Sequence, residues 1–535
     1  MEELKFPDRD VTSFVLERAS ELGDKPALID GPTGRTITFA ELDGATRALA
    51  SGLAARGFKP GDALAIHMPN LPEYAVAFHG VARAGGRATT VNPLYTAREL
   101  EHQLRDSEAR ILLTVPPFLD VAREAAAATG IEDVFVVGEA EGAAPVSRNP
   151  EGMKPSSGAL EPADFTDLLG DPAEAPDVVI DASADLAVLP YSSGTTGLPK
   201  GVMLTHSNLV ANLVQIQDAF PISEDDVLIG CLPFFHIYGQ TVIMNQGLWQ
   251  GATIVTMPRF DLEQYLDLIA EHGVSRAYVV PPIALALAKH PAVDQRDLSS
   301  VDVVMSGAAP LGAELVGQVA ERIDCKVIQG YGLTETSPVT HVIRPHGENR
   351  PGSIGPALAG TECRLVDPES GEDAAKGERG ELWIRGPQVM AGYLNNPEAT
   401  AATIDSDGWL HTGDVAVRDA DGFYSIVDRL KELIKYKGFQ VPPAELEALL
   451  ITHPDVADVA VIGVPDDECG ELPKALVVPA GDGVDGDALM EFVAGQVSPQ
   501  KQVRLVEEVE EIPKSPSGKI LRRVLRDREA ASGIE

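Results

Sequence analysis

The stretch Tyr191-Ser192-Ser193-Gly194-Thr195-Thr196-Gly197-Leu198-Pro199-Lys200-Gly201 contains three glycines, four hydroxyl side chains besides the tyrosine, and one lysine. Glycine lets the backbone approach a ligand closely, and hydroxyls with a cation supply the donors that buried phosphate oxygens require. The stretch therefore predicts a triphosphate-binding loop. It is not a Walker A loop, because Pro199 stands where that pattern has its second glycine.

The segments around this loop alternate between strand and helix patterns. Strands are predicted at 185–190, 202–205, 252–257, 276–280, 301–305 and 326–329, and helices at 208–220 and 262–272, the second capped by Asp261. This alternation is typical of layered α/β folds with parallel strands.

Three changes in pattern indicate the domain organisation. Residues 138–177 are rich in Pro, Gly, Ala and acidic residues and predict a long surface excursion. Residues from about 350 to 428 have short strands between Gly/Pro/Asp turns, which predicts a small β-barrel or antiparallel sheet. A new α/β pattern follows, with helices at 444–450 and 487–497 and strands at 456–464 and 474–478. We therefore predict an α/β protein with a large N-terminal domain, 1–430, of layered parallel-type sheets with helices plus the small β-barrel, and a small α+β domain, 431–535.

Composition disfavours nucleic acid and the membrane surface as partners. The 535 residues include 43 basic and 81 acidic side chains, a net charge of −38, which repels nucleic-acid phosphates and anionic lipid. The four cysteines form no C-x-x-C pair, so free thiols in a reducing cytoplasm are expected. No apolar run is long enough to span a bilayer, and neither a secretory leader nor a peroxisomal tripeptide is recognisable.

The motifs together resemble those of the adenylate-forming superfamily, which includes acyl-CoA synthetases, adenylation domains and luciferases. They are the loop at 191–201, Gln329-Gly330-Tyr331-Gly332-Leu333-Thr334-Glu335, Trp409-Leu410-His411-Thr412-Gly413-Asp414, the segment 428–438, and Pro513-Lys514-Ser515-Pro516-Ser517-Gly518-Lys519. The similarity extends from about residue 10 to 528. The segments 234–239 and 435–441 most resemble 4-coumarate–CoA ligases.

The resemblance implies an ATP- and Mg²⁺-dependent acid–CoA ligase. Its first step joins a carboxylate to AMP with release of pyrophosphate, and its second transfers the acyl group to CoA. The implied partners are a small carboxylic acid, ATP and CoA, in a monomer or homodimer, with no nucleic acid and no integral membrane contact. The N-terminal domain is expected to bind AMP and the acyl group, and the C-terminal domain to be a mobile lid.

The resemblance also implies roles for individual residues. The expected catalytic residues are Lys519 for adenylation, Lys435 for thioester formation, His236 as a gate to the acyl pocket, and Glu335 with Thr196 for phosphate and Mg²⁺. The expected ATP- and AMP-binding residues are Ser192, Ser193, Gly194, Thr195, Thr196, Gly197, Lys200, Gly307, Ala308, Ala309, Gln329, Gly330, Tyr331, Gly332, Thr334, Asp414, Ile426, Arg429 and Lys519. CoA is expected at Lys437 and Gly438, the acyl pocket at His236, Tyr238, Met305, Ala308, Gly332, Pro338 and Val339, and the hinge at Lys431.

Met305 bears on the identity of the acid. In plant-type 4-coumarate–CoA ligases the corresponding residue, just before the Ser-Gly-(Ala/Gly)-Ala-Pro motif, is often a lysine that binds the 4-hydroxyl. Met305 cannot donate a hydrogen bond. We therefore expect cinnamate, related aryl acids or medium- to long-chain fatty acids to be preferred over 4-coumarate.

Three other functions remain open from the sequence. A luciferase-like monooxygenase would adenylate its substrate with the same residues and then react the adenylate with oxygen. An enzyme that adenylates amino acids and loads a carrier protein generally has an acidic residue near the start of the pocket, and the stretch 236–240 has none. A nucleotide-binding sensor on an inactive scaffold is disfavoured because Lys200, Asp414, Lys435 and Lys519 are all present.

Overall fold

The computed structural model describes residues 4–138, 162–192, 199–348, 350–437, 439–466, 468–481, 483–515 and 518–532. Six residues of the phosphate loop, Ser193 to Leu198, fall outside these ranges, as do Gly438 and part of the excursion predicted at 138–177. Predictions that concern Ser193, Gly194, Thr195, Thr196, Gly197 and Gly438 therefore lie outside the described residues.

The elements follow one another as α/β units along most of the chain. The strands are β1 Pro26–Asp30, β2 Thr36–Thr38, β3 Ala63–His67, β4 Arg87–Thr90, β5 Ala109–Thr114, β6 Asp133–Val136, β7 Ala163–Asp164, β8 Leu186–Ser192, β9 Lys200–Thr205, β10 Val227–Gly230, β11 Thr253–Thr256, β12 Arg276–Val279, β13 Val303–Ser306, β14 Lys326–Gly332, β15 Val339–Val342, β16 Glu362–Val366, β17 Gly380–Arg385, β18 Gly392–Tyr393, β19 Leu410–Arg418, β20 Tyr424–Arg429, β21 Ile434–Tyr436, β22 Phe439–Val441, β23 Val456–Asp466, β24 Gly470–Pro479 and β25 Leu505–Glu508.

The α-helices are α1 Val11–Val15, α2 Ala19–Leu22, α3 Phe39–Ala55, α4 Pro72–Arg83, α5 Ala97–Asp106, α6 Leu119–Thr129, α7 His206–Ala219, α8 Gln246–Gln250, α9 Leu262–His272, α10 Pro281–Lys289, α11 Ala313–Ile323, α12 Pro397–Thr403, α13 Pro443–Leu450, α14 Gly486–Ala494 and α15 Arg522–Ser532. A π-helix covers Tyr238–Asn245, and short 3₁₀ turns cover Pro116–Phe118, Phe165–Leu168, Pro172–Glu174, Pro291–Gln295, Thr334–Thr336 and Pro499–Lys501. No helix in the described part of the chain combines the length and apolarity needed to cross a bilayer.

Two eight-stranded sheets form the body of the large domain. Their strand orders are β15-β14-β13-β12-β10-β11-β1-β2 and β18-β9-β8-β4-β3-β5-β6-β7, and most neighbouring pairs are parallel. Helices cover the sheets, so central strands such as β3 and β13 are buried at every residue. The predicted layered α/β fold is confirmed. Helix α9 has the predicted bounds, and the Asp261 carboxylate accepts a hydrogen bond from the Gln264 N–H, 3.0 Å away.

The prediction of a surface excursion is wrong for its described C-terminal part. Strand β7 pairs with β6 at the edge of the sheet, and Phe165 and Leu168 are buried in the main core. Leu168 packs so closely on α3 that a Cβ at Gly52 would lie 1.8 Å from the Leu168 carbonyl oxygen. Two large apolar side chains therefore hold this segment against the domain although its composition is typical of a loop.

The segment from about 350 to 428 contains a four-stranded antiparallel sheet in the order β16-β17-β19-β20. In the described residues its outer strands, β16 and β20, are not paired with each other, so the sheet is open. The predicted small β-barrel is therefore wrong, and the alternative, an antiparallel sheet, is observed. Alternating short strands predict both arrangements equally, and only the pairing of the edge strands distinguishes them.

The C-terminal residues have a sheet and cores of their own. The sheet has the order β22-β21-β24-β23, with β25 parallel to β24, and α13 and α14 pack around one apolar core while α15 covers another. Predicted helix 444–450 is observed as α13, and the predicted strands appear, somewhat longer, as β23 and β24. The division of the chain at 430/431 stays a prediction.

Candidate active site

The candidate site lies where several strands of the large domain end. Strand β8 leads into the phosphate loop, β13 into the segment 307–311, and β14 into the turn that begins at Gly332. In open α/β sheets, ligands bind at the carboxyl ends of parallel strands, because loops from several strands meet there. The structure thus brings together motifs that are more than a hundred residues apart in sequence.

The described flanks of the phosphate loop form an antiparallel pair, with Ser192 opposite Lys200. The Ser192 hydroxyl donates a hydrogen bond of 3.0 Å to Oε1 of Glu335. The Lys200 Nζ lies 4.2 Å from the centre of the Tyr393 ring. Both flanks therefore face the turn that carries Glu335.

Tyr393 is a site residue that the sequence reasoning missed. Its hydroxyl donates a 2.8 Å hydrogen bond to the same Oε1 of Glu335, and its ring lies beside the Lys200 ammonium. Strand β18 places it there by pairing with β9, next to the loop. Burial and the neighbouring Glu335 carboxylate raise the pKa of Tyr393, so the phenol stays protonated and donates. No local sequence signal indicates this contact, because it depends on the pairing of two strands almost 200 residues apart.

The segment after β13 is held by a glutamine side chain. The Gln329 Oε1 accepts a 2.9 Å hydrogen bond from the Leu311 N–H, while its Nε2 is buried with no hydrogen-bond partner. Ala308 adopts a left-handed backbone with φ of 68°. Gly307 packs on Tyr238, where a Cβ would lie 2.9 Å from the ring. The Gln329 side chain therefore holds the segment 307–311 in place, in addition to its predicted contact with nucleotide.

Asp414 lies at the centre of a polar group formed by β14, β19 and β20. Its Oδ2 accepts a 2.5 Å hydrogen bond from the Tyr331 hydroxyl, and its Oδ1 lies 3.1 Å from the Arg429 Nε. Asp414 and Arg429 are opposite residues in the β19–β20 pair. Ile426 packs in the apolar core of the same sheet, and Thr334 opens the 3₁₀ turn that carries Glu335.

Lys519, on the small domain, interacts electrostatically with this polar group. Its backbone forms a tight loop with Ser515, and the preceding Gly518 packs on Val280 and Pro282 of the large domain, where a Cβ would lie 3.2–3.3 Å from their side chains. Burial, assisted by Arg429, lowers the pKa of Lys519 to about 8, while Asp414, Glu432 and Glu335 favour its charged form. The Lys519 ammonium therefore lies in a buried cluster of charged residues from both domains.

Several of the predicted acyl-pocket residues lie on or pack against β13 and β14. The Tyr238 hydroxyl donates a 3.1 Å hydrogen bond to the Met305 carbonyl oxygen, and the Met305 methyl group touches Gly330. Gly332 packs so closely on the Pro338 carbonyl that a Cβ would lie 1.9 Å from its oxygen, and Val339 follows in β15. Burial, assisted by Lys519, lowers the pKa of His236 to about 4, so its imidazole is neutral at pH 7.

The two lysines predicted to serve the second half-reaction, Lys435 and Lys437, make their described hydrogen bonds within the small domain. Lys435 and Lys437 are exposed on the small domain, where their backbone N–H groups bond Glu471 and Cys469. Lys437 has a left-handed φ of 50°. Lys431 is exposed in the turn between β20 and β21. Three electrostatic partners of Lys519, Arg429, Asp414 and Glu335, belong to the large domain, whereas the bonds described for Lys435 and Lys437 stay within the small domain.

Two family profiles match the chain. The one described as AMP-binding enzyme matches residues 15–394, and the one described as AMP-binding enzyme C-terminal domain matches residues 445–519. The chain belongs to the AMP-binding enzyme family. Nearly its whole length is similar to relatives from plants. It is 44% identical to 4-coumarate–CoA ligase 5 of Oryza sativa subsp. japonica, covering 99% of this chain and 96% of the relative. It is 43% identical to 4-coumarate–CoA ligase 1 of Petroselinum crispum, covering 98% and 94%.

Solved structures of other proteins share the fold of this chain. The anthranilate CoA ligase AuaEII in complex with anthranoyl-AMP superimposes with a TM-score of 0.87 at 28% identity, covering 99% of both chains. ATP-bound MatB from Rhodopseudomonas palustris superimposes with a TM-score of 0.84 at 31% identity, covering 97% of this chain and 99% of that one. These similarities confirm the predicted large N-terminal and small C-terminal domains.

Proposed function

We infer that this AMP-binding enzyme is an ATP-dependent acid–CoA ligase. The observation that carries the inference is that the segment of the small domain that bears Lys519 packs on Val280 and Pro282 of the large domain, where Lys519 interacts electrostatically with Asp414, Arg429 and Glu335. An acyl-adenylate can form only where negative charge on a phosphate and on an attacking carboxylate is neutralised together. The curated 4-coumarate–CoA ligase relatives support the same reaction class.

We propose that ATP binds along the strand ends. Ser192, Ser193, Thr195 and Lys200 would bind the β- and γ-phosphates. Asp414 and Arg429 would bind the ribose hydroxyls, since a carboxylate accepts from a sugar diol, and Tyr331 would stack on adenine beside Gly307, Ala308 and Ala309. The predicted roles of Gly194, Gly197, Gln329, Gly330, Gly332, Thr334 and Ile426 are to shape this groove.

Glu335 suits a role in binding Mg²⁺ together with Thr196. No group of three or more His, Cys, Asp or Glu side chains in the described ranges could hold a metal alone. Mg²⁺ usually takes one or two protein carboxylates and completes its shell with substrate phosphates and water, so a single carboxylate near the phosphate loop is a fitting donor. Two hydroxyls engage Glu335 Oε1 and so fix the orientation of the carboxylate. The ion would supply charge neutralisation on the phosphates.

The proposed acid is a cinnamate-type aryl acid or a medium- to long-chain fatty acid. Its chain would lie against Tyr238, Ala308, Gly332, Pro338 and Val339. Met305 supports an apolar tail, because its side chain is 98% buried and offers no donor to a phenol hydroxyl. His236, neutral at pH 7, would stand at the pocket entrance without repelling Lys519.

For the second half-reaction we propose that the small domain turns about Lys431. Lys435 would then reach the acyl-adenylate, and Lys437 with Gly438 would contact CoA. One small domain can present Lys519 and Lys435 to the same site only in turn, and each closed orientation excludes water that would hydrolyse the anhydride.

The test is to separate the two half-reactions. Loss of one preorganised donor from developing charge costs about 3–4 kcal/mol, so Lys519→Ala should slow acid-dependent pyrophosphate release by orders of magnitude. It should leave transfer to CoA from a supplied acyl-adenylate nearly unchanged, and Lys435→Ala should do the reverse. Equal loss of both half-reactions in both variants would refute the rotating-domain account.

The same assay tests the reaction class. An acid–CoA ligase releases AMP only when acid, ATP and CoA are all present. AMP release driven instead by a carrier protein, or light emission with oxygen, would overturn the assignment. A panel of acids run in this format identifies the substrate.

A further inference from the structure

Asp428 makes a contact that joins the two domains. It is the next-to-last residue of β20, the last strand of the large domain, and is only 5% exposed. Its Oδ1 accepts a 2.7 Å hydrogen bond from the Arg429 N–H, and its Oδ2 accepts a 2.9 Å hydrogen bond from the Ala444 N–H. Ala444 lies in the first turn of α13, beyond the predicted hinge Lys431, so the second bond spans the hinge.

The positive groups that face Asp428 come mostly from the small domain. The Ala444 N–H lies at the N-terminus of α13, where the helix dipole also favours a negative charge. Arg522 of α15 also favours the charged form of Asp428, and it is held in place by Glu447 and by a 3.3 Å hydrogen bond from its Nε to the Val461 carbonyl. Burial raises the pKa of Asp428 to about 6, with Glu447 adding to this effect. A buried carboxylate is costly without such partners, and the small domain supplies two of them, the Ala444 N–H and the charge of Arg522, in this orientation.

The Asp428 carboxylate also bonds the backbone of Arg429, a residue predicted to bind the nucleotide. By accepting from the Arg429 N–H, Asp428 fixes the backbone of the residue whose side chain contacts Asp414. Arg429 and Asp414 are in turn among the charges that surround Lys519. One side chain is therefore bonded both to the large-domain strand that bears Arg429 and to the helix that positions the small domain.

We propose that Asp428 is a positioning residue that holds the small domain in the orientation that brings Lys519 to the site. The proposal rests on the proposed function, because it assumes that Lys519 serves adenylation and that the domain turns before thioester formation. The bond from Ala444 to Asp428 has to break in that turn. Asp428 therefore favours the first half-reaction and opposes rotation of the small domain out of the adenylation orientation.

The experiment measures both half-reactions in the full-length Asp428→Ala variant. Adenylation is followed by acid-dependent pyrophosphate release without CoA, and thioester formation by consumption of a synthetic acyl-adenylate with CoA. If the adenylation-competent orientation loses a buried, charge-assisted contact, its population falls and adenylation slows about tenfold or more. Thioester formation should be unchanged or faster, which a general loss of folding would not produce.

Two further variants make the result decisive. Asp428→Asn keeps the side-chain shape and one acceptor but removes the charge, so it should show a smaller loss of the same half-reaction. Asp485→Ala is the matched control, because the Asp485 carboxylate also accepts from two backbone N–H groups, at the start of α14, but entirely within the small domain. It should change both half-reactions by the same factor.

The proposal is overturned if either Asp428 variant leaves adenylation intact, or if both half-reactions fall equally in Asp428→Asn, which preserves packing. The Lys519→Ala and Lys435→Ala pair is run beside it. If that pair separates the half-reactions while the Asp428 variants do not, the positioning role fails and the proposed function stands. If that pair does not separate them, the proposed function itself fails.

Discussion

Lys519 is the single residue whose charge state matters most to the proposed chemistry. Burial lowers its pKa to about 8, so the side chain is protonated below pH 8 and loses its charge above it. We expect kcat/KM for adenylation, which reports the free enzyme, to fall about tenfold per pH unit above pH 8. The measurement is pyrophosphate release without CoA between pH 6.5 and 9.5. Lys519→Arg keeps its charge throughout this range, so an equal decline in that variant would assign the titration to another group.

Met305 decides between apolar and hydroxylated acids. Burying a phenol hydroxyl without a partner costs about 1–3 kcal/mol, or roughly 5- to 150-fold in kcat/KM. The enzyme should therefore prefer cinnamate to 4-coumarate, and Met305→Lys should shift the preference toward 4-coumarate. The two acids are compared by CoA-dependent AMP formation. A several-fold preference of the unmodified enzyme for 4-coumarate would mean that the hydroxyl has another partner in the pocket.

At the scale of elements, the turn between β14 and β15 forms a rigid wall of the site. A Cβ at Gly332 would lie 1.9 Å from the Pro338 carbonyl oxygen, and the Leu333 N–H bonds that same oxygen. Gly332→Ala must therefore displace backbone atoms, and we expect a rise of about tenfold or more in KM for the acid and a lower Tm. Gly317→Ala in α11 is the control, because a Cβ there meets open space and should stabilise the helix by about 0.5–1 kcal/mol. An unchanged KM in Gly332→Ala would show that this turn does not border the acid.

At the scale of the whole molecule, the proposed mechanism requires rotation between two domains whose hydrophobic cores are separate. Proline at 431 fixes φ near −65° and removes a backbone N–H, and it also restricts Leu430. If Lys431 changes its backbone angles between steps, Lys431→Pro should retain one half-reaction while overall turnover collapses, whereas Lys431→Ala should retain both. Turnover and each half-reaction are measured on the same preparations. Normal turnover in Lys431→Pro would place the hinge at another residue.

Local patterns in the sequence were sufficient to predict the layered α/β body, helix 262–272 with its Asp261 cap, and the strands on either side of the phosphate loop. Each of these depends on side-chain periodicity, glycine content or capping within a few residues, and such information is present in the chain before it folds. The order of the motifs was likewise enough to indicate the family. The roles of individual site residues are still predictions.

Tertiary structure alone decided the contacts that connect distant segments. Ser192 and Tyr393 meet on Glu335, Tyr331 and Arg429 meet on Asp414, and Asp428 bonds a helix of the other domain. It also decided that the sheet within 350–428 is open and that Lys519 interacts electrostatically with Arg429, Asp414 and Glu335 of the large domain. These outcomes depend on which strand edges pair and which domain faces meet, and the free energy of such long-range contacts has no counterpart in a local pattern.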